Sequence, residues 1–225
     1  FAHRRFQEYF YVSSIMEKQI WLDSESYSSI ENNSGIRDAL VLYCEIAPLE
    51  KSREIADHCW SILQQHKDVS DNIRSPGCVE LVNTICFMAE AFRNRRQAMV
   101  HFQADFQQYT LKMLASREFV VQYAAVSSMV LFEQPQLREM VLKVLRLDNR
   151  YLSEVVMKNC RTMNEIPWEI THRMAIYLAG MDRKTFTHQF RSMDFSFSIS
   201  SRLWYVRLVH TVRLLYDLLT QDVHA

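Results

Sequence analysis

The sequence predicts an all-α fold, and three observations predict it. Only three Gly and four Pro occur among 225 residues, against average usage of about 7% and about 5%. That is too few chain-turning residues for a fold made of many tight turns. Apolar residues recur at three- and four-residue steps along nearly the whole chain, the period of a helix with one buried face. The one stretch alternating in the strand period, Phe195 to Ser200 (FSFSIS), is too short and isolated to build a sheet and reads as an extended connector.

The elements follow in order. Phe6, Tyr9, Phe10, Ser13, Ile20 and Trp21 predict a first helix from Arg4 to Leu22, with Phe6, Tyr9 and Phe10 facing a core. The polar stretch 23–34 (DSESYSSIENNS) is rich in Ser and Asn and reads as a connector. After Gly35, the run Ile36, Ala39, Leu40, Leu42, Tyr43 and Ile46 predicts a largely buried helix ended by Pro48. Leu49 to His66 follows with Ile55, Cys59, Ile62 and Leu63 inward, then a loop over 71–77. Helices are next expected over 79–92, 98–114, 119–132 and 137–147, with Pro135 near a helix start.

Asn149 is placed to cap a helix over 151–163. Pro167 starts another that runs to Ala179, with Gly180 at its left-handed end. Asp182 caps a short helix to Met193, and 202–219 is the last. Roughly ten or eleven helices of about 11 to 19 residues, joined by short loops, predict an irregular superhelical, HEAT-like stack. No internal repeat of a named class is visible. The expected organisation is 1–22 as the last helix of one domain, 23–34 as connector and 35–225 as a helical sensor or scaffold region.

Composition narrows the function classes. Lys and Arg number 26 against 26 Asp and Glu, so no net charge draws the chain toward nucleic acid or acidic lipid. No apolar run reaches the ~18 residues of a membrane span, and no signal-peptide pattern opens the chain. It opens in mid-pattern with an apolar residue and no Met, which sets the expectation of a piece of a longer protein. The five Cys (Cys44, Cys59, Cys78, Cys86 and Cys160) are widely spaced, with no CxxC pair; buried free thiols in a reducing interior are expected. With three isolated Gly, none of the motifs GxxxxGK[ST], GxGxxG or GxSxG occurs.

Candidate site residues are few. Eight His are scattered without HExxH or an i, i+4 pair, and His58 and Cys59, being adjacent, point about 100° apart on a helix. Arg93, Arg95 and Arg96 cluster at an expected helix end. Three cations there complement the macrodipole as a solvated cap, or form a phosphate or nucleic-acid patch. Arg202, Arg207 and Arg213 lie among Trp204, Tyr205 and Tyr216; the spacing fits a core stripe with a charged far face better than a single-strand platform. Eleven Met and thirteen Phe read as core filling or as a partner groove.

Residues 1–10 read FAHRRFQEYF. His3 sits at a helix start, one turn before Gln7. An imidazole there can donate a hydrogen bond to an anion, and its charge changes near neutral pH. The string resembles the end of the winged-helix domain in NACHT-type STAND NTPases, where F-x-H-x-x-F-Q-E-[YF]-[FL] recurs. The match covers Phe1, His3, Phe6, Gln7, Glu8, Tyr9 and Phe10. The run Gly35-Ile36-Arg37-Asp38-Ala39-Leu40-Val41-Leu42 resembles the apolar helix that follows in that family. The resemblance extends to about residue 65, and the rest carries no family signature.

The resemblance implies a nucleotide-binding domain upstream, with ATP or ADP as the parent protein's cofactor. The imidazole at the position of His3 would contact the β-phosphate of ADP and hold a closed form. The helical region would then sense a protein or other ligand, release the lock and allow homo-oligomerisation. A cytoplasmic role in antiviral or innate defence is implied as well. Walker motifs are absent from these 225 residues, so hydrolysis is not assigned to them, and no cofactor is expected on this region alone. Three rivals stand beside this reading. One is an α-solenoid protein–protein interaction scaffold with no nucleotide link. Another is a helical enzyme with a site assembled from distant residues. The last is a nucleic-acid-binding array centred on Arg93, Arg95 and Arg96.

Overall fold

A computed structural model describes residues 2–17, 22–66, 76–147 and 149–160. Among them are nine α-helices, two 3₁₀ turns and no strand, so the fold is all-α. In order these are α1 (Ala2–Glu17), α2 (Ser24–Glu31), α3 (Arg37–Ile46), α4 (Leu49–Gln65), α5 (Pro76–Ala91), α6 (Gln103–Met113), α7 (Phe119–Ser127), α8 (Gln134–Arg146) and α9 (Arg150–Cys160). The 3₁₀ turns are Arg96–Met99 and Ser128–Leu131. The chain divides into two compact units, Phe1–Phe132 and Glu133–Ala225. No described helix is long and apolar enough to cross a membrane. Expectations for Pro167, Gly180, Asp182, 195–200 and 202–219 lie outside the described residues.

In the first unit, α5 is the element that the others surround. It packs against α2, α3, α4 and α7, which is why its sequence, PGCVELVNTICFMAEA, is apolar on more than one side. Leu81, Ile85, Phe87 and Met88 are fully buried there. Each such side chain contributes roughly 1.5–3 kcal/mol of transfer free energy. Phe87 meets Phe92 edge-to-face with ring centroids 6.3 Å apart. Trp60 on α4 stacks on Phe102, just before α6, at 5.2 Å. These contacts clamp the elements on both sides of Arg96–Met99.

Helix α4 agrees with its sequence pattern: Ile55, Cys59, Ile62 and Leu63 are all buried. Pro48 ends α3 as anticipated, because the residue before a proline avoids helical backbone. Ala47 is accordingly extended, at φ −66°, ψ 162°. In the second unit, Asn149 caps α9: its Oδ1 accepts from the backbone N–H groups of Tyr151 (3.1 Å) and Leu152 (3.2 Å).

Three expectations need correction. First, the polar stretch 23–34 is not a bare connector; it holds α2, which packs against α3 and α5. Asp23 caps it by accepting from Ser26 N at 2.8 Å and Ser26 Oγ at 2.7 Å. Those bonds hold the Asp23 carboxyl below its usual range. Asn33 terminates it at φ 51°, with Ser34 N donating to Ser29 O at 3.1 Å. That is the six-to-one bond of a Schellman cap.

Second, the helix expected over 98–114 is interrupted. A 3₁₀ turn and a short link precede α6, held by side chains that reach carbonyls at the end of the next 3₁₀ turn. Arg96 Nη1 donates to Phe132 O (3.3 Å) and Gln103 Nε2 to Leu131 O (3.2 Å). The helix expected over 119–132 likewise tightens at Ser128, whose hydroxyl donates back to Ala125 O at 2.7 Å. Third, Phe6, Tyr9 and Phe10 do not face the core of this unit. They are 63%, 53% and 67% exposed, and α1 turns Val12 and Ile15 inward instead.

Candidate functional site

The backbone is helical from Ala2, so His3 and Gln7 stand one turn apart on one face of α1. The side chain of His3 lies outside the described residues. Helix α1 packs against α3, and Val12 and Ile15 are its buried residues. The opposite side carries Phe6, Tyr9 and Phe10 toward solvent, with the Tyr9 and Phe10 rings edge-to-face at 5.9 Å. The motif-bearing helix thus presents its aromatic side outward. Arg37, the arginine of the second matching run, is buried beneath α5. Its guanidinium bonds Glu90 at 2.9 Å and Asp38 at 3.3 Å and lies over the Phe87 ring at 5.7 Å.

The arginine cluster is dispersed by the fold. Arg95 turns inward to the end of α3, where Nη1 shares its protons among Cys44 O (3.2 Å), Ala47 O and Ser52 Oγ (3.0 Å). Ser52 Oγ itself donates to Cys44 O at 2.9 Å. Arg95 therefore satisfies orphan carbonyls of α3, not those of α5, which it follows in sequence. Arg96 bonds Phe132 O, and Arg93 is half-exposed. The three side chains do not form one exposed cationic surface.

Three imidazoles are described, and each faces a carboxylate on another element. His58 Nε2 lies 3.4 Å from Glu31 Oε1, His66 Nε2 lies 3.3 Å from Glu80 Oε2, and His101 Nε2 lies 2.6 Å from Asp57 Oδ1. Helix α4 or its C-cap residue, His66, supplies one partner to every pair. Burial pushes the His58 imidazole below its ordinary value, against the pull of Glu31. No group of three His, Cys, Asp or Glu placed to hold a metal occurs among the described residues.

Cys44 and Cys59 are buried free thiols, Cys78 is buried, and Cys86 is partly buried and free. Burial pushes Cys44 and Cys59 far up and Cys86 to about 11. None of these three is an activated nucleophile. A shallow cleft of about 350 Å³ runs along α8 and is lined by Pro135, Arg138, Glu139, Leu142, Lys143 and Arg146. Its single carboxylate is paired with Lys143 at 2.7 Å, and it contains no His, so acid–base chemistry has no constellation there.

Sequence reasoning passed over Arg37, Asn33 and Asn83, whose Nδ2 donates to Glu31 O at 2.7 Å and ties α5 to the end of α2. The available signal was Asn33 in a polar stretch ahead of an apolar helix, a residue type that tolerates left-handed backbone. Comparison with family models, curated proteins and solved structures returns no match for this chain.

Proposed function

We propose that this chain is the regulatory, ligand-sensing helical region of a NACHT-like signal-transduction NTPase. In this reading 1–22 close a winged-helix-type domain, and the helices from 35 onward extend as an irregular HEAT-like stack. His3 contacts the β-phosphate of ADP bound upstream and so ties nucleotide state to domain arrangement. Release of that contact, on recognition of a protein or other ligand by the helical surface, frees the molecule to homo-oligomerise in the cytoplasm. A role in antiviral or innate defence accompanies this reading.

The observation that carries it is the motif from Ala2 to Phe10 lying on α1 with Phe6, Tyr9 and Phe10 uncovered. An aromatic side left outward on that motif is what an adjoining winged-helix body would cover. Amide hydrogen exchange on the intact parent protein tests this. Slower exchange across α1 with ADP bound than after nucleotide removal is expected. Identical rates in both states would sink the nucleotide link. They would favour the second reading, an interaction scaffold, which draws on the exposed Val79, Val100, Phe119 and Tyr123.

A further inference from the structure

Helix α2 is the helix that follows the motif-bearing α1 in sequence, and it is short. Eight residues do not hold a helix in water without tertiary contacts. Its hold includes the buried Ser26, Ser29 and Ile30, the Asn83 bond to Glu31 O, and, from α4, the His58 side chain. That ring lies 4.5 Å from the ring of Tyr27. It is half-buried, and its Nε2 is cut off from water without a well-formed hydrogen bond. Glu31 stands 3.4 Å away as its nearest counter-charge.

We propose that His58 is a proton-operated latch on α2: neutral, it packs α2 against α4, and taking up a proton it loosens that contact. The physical reason is hydration. An imidazolium in this slot forfeits part of its water shell. Groups from four helices lie in or beside the slot. From α2 come Glu31, Tyr27 and the partial negative charge of the helix end. From α4 come Glu54 and Cys59, and from α3 Tyr43 and Cys44, which act on Tyr27 beside the ring. Asn83 on α5 is neutral. Glu31 and the helix end pull toward the charged form; an Nε2 sealed from water without a hydrogen bond pulls the other way. The direction found for His58, downward with burial as the first cause, agrees.

A histidine lowered in the folded state contributes stability above its unfolded value of about 6.5, and that stability is lost as the pH falls toward the lower folded value. This inference is independent of the nucleotide reading.

The test is amide exchange in α2 on the full chain, corrected for intrinsic rates, at about pH 7.5 and about pH 5. Wild type is expected to lose protection in α2 several-fold more than His58→Gln, which stays neutral at both. Equal loss in the two proteins, or a gain of protection in acid by wild type, overturns the latch. Should His58→Gln fail to fold, NMR titration of the wild-type imidazole decides. A midpoint below about 6.5 supports the latch and one at or above it refutes it.

Discussion

A β-carbon on Gly77 would lie 2.7 Å from both Cε1 and Nδ1 of the His66 ring. The close approach lets the end of α4 meet the start of α5, where His66 also reaches Glu80 and its carbonyl accepts from Tyr109 Oη at 3.0 Å. The absent β-carbon thus leaves room for the imidazole where α4, α5 and α6 meet.

Gly77→Ala is therefore expected to destabilise the wild type by about 1 kcal/mol, because the imidazole must leave its site. In a His66→Ala background the same change is expected to stabilise by about 0.5 kcal/mol, through the lower entropy of the unfolded chain. Denaturant melts of the four proteins read this reversal of sign. Additive effects would contradict the contact.

Arg95→Ala is expected to cost about 2–4 kcal/mol, because it strips a charged donor from Cys44 O, Ala47 O and Ser52 Oγ in one step. Arg93→Ala, at a half-exposed position, should fall within about 0.5 kcal/mol of wild type. A loss for Arg95→Ala as small as that for Arg93→Ala, by thermal or chemical denaturation, would contradict the inward role of Arg95.

At Asn33 the backbone is left-handed, with φ 51°. Asn33→Gly is expected to be neutral or stabilising by up to about 1 kcal/mol, and Asn33→Val destabilising by about 1–2 kcal/mol. The comparison of melting curves should also show α2 exchange rising in the Val variant. A Val variant as stable as Gly would mean that the cap does not form in solution.

Burial holds the Cys86 thiol up to about 11. At neutral pH only about one molecule in ten thousand carries the thiolate. Alkylation by iodoacetamide is expected to be far slower than for a free cysteine at pH 7 and to rise tenfold per pH unit while the fold persists. Because the folded value is raised, its stabilising share is complete below the unfolded value of about 9 and disappears as the pH climbs toward about 11. Rapid labelling at neutral pH would contradict this burial.

How far the sequence was legible depends on what fills each helix face. Helix α4 was readable because Ile55, Cys59, Ile62 and Leu63 are apolar at helical spacing and all turn inward. Helix α2 was not, because its buried face includes Ser26 and Ser29, whose hydroxyls bond locally: Ser29 Oγ donates to Ser26 O at 2.6 Å. Those self-satisfied serines fit a core while scoring as loop. Helix α1 shows the opposite failure. Periodicity finds a face but does not say whether this chain covers it, and Phe6 and Phe10 remain exposed. The arginine cluster misled because adjacency in sequence does not give direction: Arg95 points to α3 and Arg96 to Phe132.

The central claim is the contact between His3 and a diphosphate, and the ADP content of the purified parent protein tests it most directly. His3→Ala is expected to retain markedly less ADP per chain than wild type and to shift toward higher oligomers without added ligand. Wild-type ADP content and an unchanged oligomeric state in that variant would contradict the account.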